Sequence, residues 1–176
     1  MHDLGVVIGR FQVANLSDGH CFLIDHALDC HRNVVVLVGS SQEAGTINNP
    51  LNFPIRQRMI KEMYPQITVV AAPDFPGNNK RWSHHIDASI KSLGMTVDPN
   101  KVFLYGGRDS FGPCYMGEFT VVEIDSGMDH ISGTSVRKNI GKRIVDSEQF
   151  RRGIIYATQN FLDSEAQEDD GPDPKE

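Results

Sequence analysis

Residues 4–30 read LGVVIGRFQVANLSDGHCFLIDHALDC, and this stretch decides the fold. Leu4 to Ile8 is a short, continuous apolar run that stops at Gly9. Such a run suits a strand buried on both faces, as in a parallel sheet, rather than one with a wet side. From about Gly19 the period changes: Phe22, Leu23, His26, Ala27 and Cys30 recur at spacings of three and four, which predicts a helix. The alternation continues outward. Val34 to Val38, ending in Gly39, predicts a second strand. Pro54 to Tyr64 predicts a helix with Ile55, Met59, Ile60 and Met63 on its apolar face, and Arg56 and Arg58 on a solvated one. Ile67 to Ala71 and Trp82 to Leu93 give strand three and helix three. Val102 to Tyr105, followed by Gly106-Gly107, and Phe119 to Ile124 complete five strands. Thr134 to Leu162 reads as a short helix, a break near Gly141 and a longer helix.

Strands alternating with helices imply βαβ crossovers. The expected architecture is α/β: one doubly wound, Rossmann-like, five-stranded parallel sheet with helices on both faces and a C-terminal helical segment. One domain is expected over 1–163, with an acidic, disordered tail over 164–176. That tail holds six acids against Lys175, so most of the net charge of −6 sits there and the body is near neutral. A near-neutral body lacks the cationic footprint that duplex nucleic acid demands. Three cysteines, Cys21, Cys30 and Cys114, have no CxxC or finger spacing, which excludes a disulfide scaffold and a zinc ribbon. They read as small buried residues. His84 and His85, as helix neighbours, point apart and cannot form a metal pair. With no apolar run near 18 residues and no basic leader at Met1-His2-Asp3, the expectation is a soluble, cytoplasmic protein with no membrane partner.

Three predicted strands end in glycine on one edge of the sheet, where open α/β sheets bind ligands at the switch point. No GxGxxG follows a strand and no GxxxxGK[ST] occurs, so a dinucleotide fingerprint and a P-loop are both excluded. Two other segments fit an anion. Gly9-Arg10-Phe11-Gln12 leaves strand one and Ser17-Asp18-Gly19-His20 opens helix one, whose free N–H groups would face an anion in the turn. The plainer alternative is that Ser17 or Asp18 is an N-cap and His20 a surface residue. Ile131-Ser-Gly-Thr-Ser-Val-Arg137 offers a second loop-to-helix junction, with hydroxyls and a guanidinium fork.

Taken as a pair, these segments resemble the HxGH and ISSTxxR signatures of the nucleotidyltransferase superfamily. Between them, VVVLVGSSQEAGTINNPLNFPIRQRMI (34–60) and the Asp74, Asn79, Trp82 stretch look like the nicotinamide-nucleotide adenylyltransferases of the archaeal type. The likeness covers about residues 4 to 145. It implies that ATP, with Mg²⁺, lies across the switch point and that the phosphate of nicotinamide mononucleotide attacks the α-phosphorus. It also implies roles. His20 stabilises the α-phosphate and Arg10 lies over the phosphates. Gly9, Phe11 and Gln12 offer backbone to the nucleotide. Ser132, Thr134 and Arg137 hold the β- and γ-phosphates, and Gly106, Gly107 and Asp109 bind adenosine. Trp82 stacks on the nicotinamide ring with Asn79 beside it; the plain alternatives are a core tryptophan for Trp82 and a helix cap for Asp109. A Nudix-type second domain is not expected, and a homo-oligomer through Phe150, Ile154 and Phe161 is left open.

The sequence departs from the family at Ser17, where the first motif histidine belongs, and at Val13, where proline is usual; relative to the shortest family form it also carries two inserted residues. Losing one transition-state donor costs about 10²- to 10³-fold in rate, against a total enhancement of at least about 10⁶ for such enzymes. Two alternatives follow: the same chemistry on another phosphate acceptor, or a nucleotide-binding regulator with weakened catalysis.

Overall fold

A computed structural model describes residues 2–13, 15–94, 98–107 and 110–125. Asp109, Ser132, Thr134, Arg137, the C-terminal helical segment and the acidic tail lie outside the described residues.

The expected alternation is what forms. β1 (His2–Gly9) leads to α1 (Asp18–Cys30), β2 (His31–Val38), α2 (Phe53–Met63), β3 (Thr68–Ala71) and α3 (Asn79–Lys91), then β4 (Val102–Gly107) and β5 (Thr120–Ile124). All five strands are parallel in the order β3-β2-β1-β4-β5. The chain winds outward from β1 to β3, then returns to lay β4 on the other edge of β1. The C-terminal ends of β1 and β4 therefore form the switch point, where the crossovers diverge and leave a crevice.

Alternation along each strand sorts the apolar side chains into two cores. Val7, Val34, Val36, Val38 and Tyr105 face α1 and α2, meeting Leu23, Ile24, Ala27 and Ile60. Leu4, Val6, Ile8, Val35, Leu37 and Leu104 face the opposite way, against Ile86 and Ile90 of α3. The sheet is thus covered on both faces, as continuous apolar strands require. Among the described residues no helix is long and apolar enough to cross a membrane.

The helix ends are set by local chemistry. Asn52 and Asn78 cap α2 and α3, their side chains accepting from Ile55 N and Arg81 N. With Asn78 as its cap, α3 begins at Asn79, three residues before Trp82. The inward face of α2 is only in part the one that its apolar spacing predicts: Met59 and Ile60 pack into the core, but Ile55 and Met63 are more than half exposed, whereas Arg56 is fully buried. The solvated-face expectation holds for Arg58, which pairs with Glu62 at 3.0 Å, and fails for Arg56. The cause lies in the strand ends beneath, which present carbonyl oxygens rather than methyl groups.

Gly5 shows how tightly β1 is held. A Cβ there would stand 2.7 Å from Cδ2 of His31, whose ring is fixed by a 2.7 Å hydrogen bond to the Tyr105 hydroxyl. Because that ring cannot yield, Gly5→Ala is expected to destabilise the fold by about 1–2 kcal/mol, read as a lower urea midpoint at unchanged m-value.

Candidate active site

Over the carboxyl ends of β1, β2 and β4 lies a cleft of about 470 Å³, lined by Gly9, Arg10, Gly39, Ser40, Asp74, Phe75, Trp82 and Phe111 among others. Gly9 ends β1 and Gly39 follows β2; the Gly39 amide donates to Gly9 O at 2.9 Å, closing the two strand ends together. Arg10 is exposed, and its Cγ runs past Gly39, 3.6 Å from where a Cβ would stand. The floor is therefore bare backbone with one cation above it.

Ser40 is buried in the left-handed region at φ 49°, a conformation that costs a residue with a Cβ. Two hydrogen bonds to one carboxylate hold it there: its hydroxyl donates to Asp74 at 2.5 Å and its amide at 3.3 Å. Gln42 closes the other side, accepting from Asp74 N at 3.0 Å. Beneath them the Arg56 guanidinium donates to the carbonyls of Arg10 (2.8 Å), Gly39 (2.7 Å), Ser40 (3.1 Å) and Asn52 (3.3 Å). Burial draws the Arg56 pKa below its ordinary range, and the Asp74 charge partly opposes that.

The far wall is aromatic. Trp82 is half-buried, 5.9 Å from Phe111 and edge-on to Tyr115, so it both packs and faces the cleft. Tyr115 donates to Asp87 at 2.5 Å, and burial with that carboxylate raises its pKa above the usual phenol range. The Met116 amide donates to Ser83 Oγ at 2.8 Å, pinning the β4–β5 connection to α3. Arg81 caps the edge of this wall, 4.5 Å over the ring of Phe75.

The expected site residues divide accordingly. Gly9, Arg10, Asn79 and Trp82 meet in the cleft, with Asp74. Ser17 and His20 do not line it; they form the cap of α1, beside it. Ser17 is the N-cap, as the plainer alternative had it. Its hydroxyl accepts from the His20 amide, and the ring of His20 reaches back, with Nδ1 accepting from Ser17 N at 3.2 Å. The His20 ring also lies 5.0 Å from that of Phe11. Phe11 turns through a φ of 50° and buries its ring between Gly9 and His20.

Gln12 is spent elsewhere than backbone alone suggests. Its buried amide makes a reciprocal pair with Leu51, donating to the carbonyl at 3.0 Å and accepting from the amide at 2.8 Å. The loop after β2 is thereby tied to β1. Gly106 lies under Phe111 and Ser110, while a Cβ on Gly107 would meet open space. The cysteines are not the small buried residues expected: Cys21 and Cys30 are half-buried and Cys114 is exposed on the cleft wall. Ser40, Phe75 and Phe111 had no sequence signal.

No family model matches the chain. A nicotinamide/nicotinic acid mononucleotide adenylyltransferase of Acinetobacter baylyi is 28% identical over 171 residues, 93% of this chain and 88% of that protein. A nicotinamide-nucleotide adenylyltransferase of Saccharolobus solfataricus is 34% identical over 89 residues, 47% of this chain and 50% of that one. Among solved structures, a bifunctional NMN adenylyltransferase/ADP ribose pyrophosphatase from Francisella tularensis superposes with a TM-score of 0.70 at 16% identity. The match covers 93% of this chain and 57% of that one. NadR protein in complex with NAD and AMP-PNP gives 0.56 at 15% identity, over 81% of this chain and 42% of that one. The chain thus spans little more than half of the solved bifunctional protein. The chain is similar along nearly its whole sequence to a nicotinamide/nicotinic acid mononucleotide adenylyltransferase, and its parallel sheet has the fold of the solved NMN adenylyltransferase structure.

Proposed function

We propose that the protein transfers AMP from MgATP to nicotinamide mononucleotide, giving NAD and pyrophosphate. The observation that supports this most is that one cleft gathers Gly9 and Arg10 of the first motif with Asp74, Asn79 and Trp82 of the second stretch. A phosphate oxygen of the mononucleotide forms a new bond to the α-phosphorus in line. The bond to the oxygen bridging the α- and β-phosphates breaks, and pyrophosphate leaves with that electron pair. No protein nucleophile takes part, so the protein's work is positioning and neutralising charge.

In this reading Arg10 covers the phosphates, and bare backbone at Gly9 lets them approach. His20 donates to the α-phosphate from the start of α1, where helix N–H groups add positive character. The proton it uses is on Nε2, because a backbone amide can only donate and so Nδ1 must accept from Ser17. Gly106, Gly107 and Asp109 take adenosine, and Ser132, Thr134 and Arg137 take the outer phosphates. Mg²⁺ arrives with the nucleotide. Trp82 presents an electron-rich face to the cationic nicotinamide, with Asn79 beside it.

The test is product formation from ATP, Mg²⁺ and nicotinamide mononucleotide, followed as NAD by chromatography and as pyrophosphate release. NAD in step with pyrophosphate is the expected result. Pyrophosphate only with a different phosphate acceptor would move the protein to a sister activity. ATP binding with no turnover above background would make it a nucleotide-responsive regulator, the reading that Ser17 in place of the motif histidine favours.

A further inference from the structure

The buried cation beneath the cleft has no part in the chemistry above, yet its contacts converge on it. Arg56 stands on α2, fully buried, and uses four guanidinium N–H groups on backbone carbonyls. Three of those carbonyls belong to Arg10, Gly39 and Ser40, which line the cleft. A lysine could not do this, since its ammonium is a compact charge without the planar fork. Burying a guanidinium for stability alone is a poor bargain against an apolar side chain. What this arrangement does provide is geometry: a rigid plate under two strand ends, one of them leaving β1 as Arg10 and the other entering left-handed backbone at Ser40.

We infer that Arg56 is a positioning residue that sets the β1 and β2 ends, and through them the direction in which Arg10 crosses the cleft. Arg56 touches no substrate. Its effect passes through the Arg10 carbonyl to the Arg10 side chain, and through Gly39 and Ser40 to the floor over which that side chain runs. The Ser40–Asp74 hydrogen bonds hold the same turn from the other side, so the strained φ at Ser40 is fixed between a cation and a carboxylate. The catalytic consequence rests on the adenylyltransferase reading; the backbone consequence does not.

The test is Arg56→Lys in the full chain, which keeps the charge and removes the fork. Amide hydrogen exchange in peptides spanning 39–41 is expected to rise at least about tenfold, with β4 and β5 unchanged. The kcat/KM for NAD formation is expected to fall about 10- to 100-fold, because small misplacements of a catalytic group are costly. In an Arg10→Ala background the same substitution is expected to cost less than about threefold, the non-additivity that a shared route demands. A merely structural role would leave the two losses multiplying. Should Arg56→Lys not fold, Arg56→Gln, which buries no unpaired charge and retains two donors, serves for the same measurements. Unchanged exchange at 39–41, or a full loss in the Arg10→Ala background, overturns the inference. If the unaltered protein makes no NAD, the proposed activity falls instead, and the exchange result with ATP affinity in the Arg10→Ala and Arg56→Lys variants still decides whether Arg56 acts through Arg10.

Discussion

Replacing His20 with alanine is expected to lower kcat for NAD formation by about 10²- to 10³-fold while leaving the affinity for ATP within a few-fold. The split follows from where His20 stands. Its backbone and ring are both engaged by Ser17, so the ring does not drift with the loop but is fixed to the first turn of α1. Phe11 holds its face at 5.0 Å and is the residue after Arg10, which puts the ring beside the Arg10 end of the cleft, where the proposed reading sets the phosphates. A donor held in this way strengthens as negative charge grows on the α-phosphate oxygens, and contributes less to the ground state. Ser17→Ala provides the contrast. It removes an N-cap, at about 1 kcal/mol of stability, and the hydroxyl from the His20 ring, but leaves the Ser17 amide N–H to fix the tautomer. Its kcat is therefore expected to fall about tenfold at most. Steady-state kinetics with ATP and nicotinamide mononucleotide varied in turn, and thermal melts of each variant, separate these losses. A His20→Ala enzyme with undiminished kcat would remove the histidine from the chemistry and leave Arg10 and the helix N-terminus to supply it.

The same residues show what a sequence discloses and what it withholds. The segments Val34 to Val38 and Val102 to Tyr105 are β-branched or apolar runs that no solvent-facing element would use, so they declare themselves. The glycines after β1 and β2 mark the edge of the cleft because only backbone can approach there. Asp74, in the loop after β3, and Asn79 and Trp82, at the start of α3, are legible through family likeness, not through spacing, since neither a loop nor the first turn of a helix has a period to read. Arg56 is the instructive failure. Apolar spacing on α2 puts Ile55 and Met63 inward, but the surface they would meet is a row of strand-end carbonyls, and a guanidinium satisfies those where a methyl cannot. Ser40 is hidden for a related reason: its left-handed backbone is held by Asp74, 34 residues away. Gln12 likewise spends its side chain on Leu51, a partner 39 residues distant. Local pattern reaches the elements; long-range polar contacts at their ends decide the site.

Trp82→Ala is the second large effect, and its sign on the two substrates is what matters. If the indole face receives the nicotinamide ring, alanine removes a stacking contact of about 1–3 kcal/mol, and KM for nicotinamide mononucleotide should rise about 10- to 100-fold. ATP lies on the Arg10 side of the cleft in the same reading, so its KM should change by less than about threefold. Trp82 also packs on Phe111 and Tyr115, and a truncated wall could loosen the cleft for both ligands. Trp82→Phe resolves this, since phenylalanine keeps much of the apolar contact but offers a weaker π face. For a stacking role its mononucleotide KM should lie between those of tryptophan and alanine, with an unfolding midpoint close to that of the unaltered protein. For a packing role the two KM values should instead rise together in Trp82→Ala and recover together in Trp82→Phe. Equal losses for both substrates would take the tryptophan out of acceptor recognition and return it to the core of the α3 face, where Ile86 and Leu104 already lie.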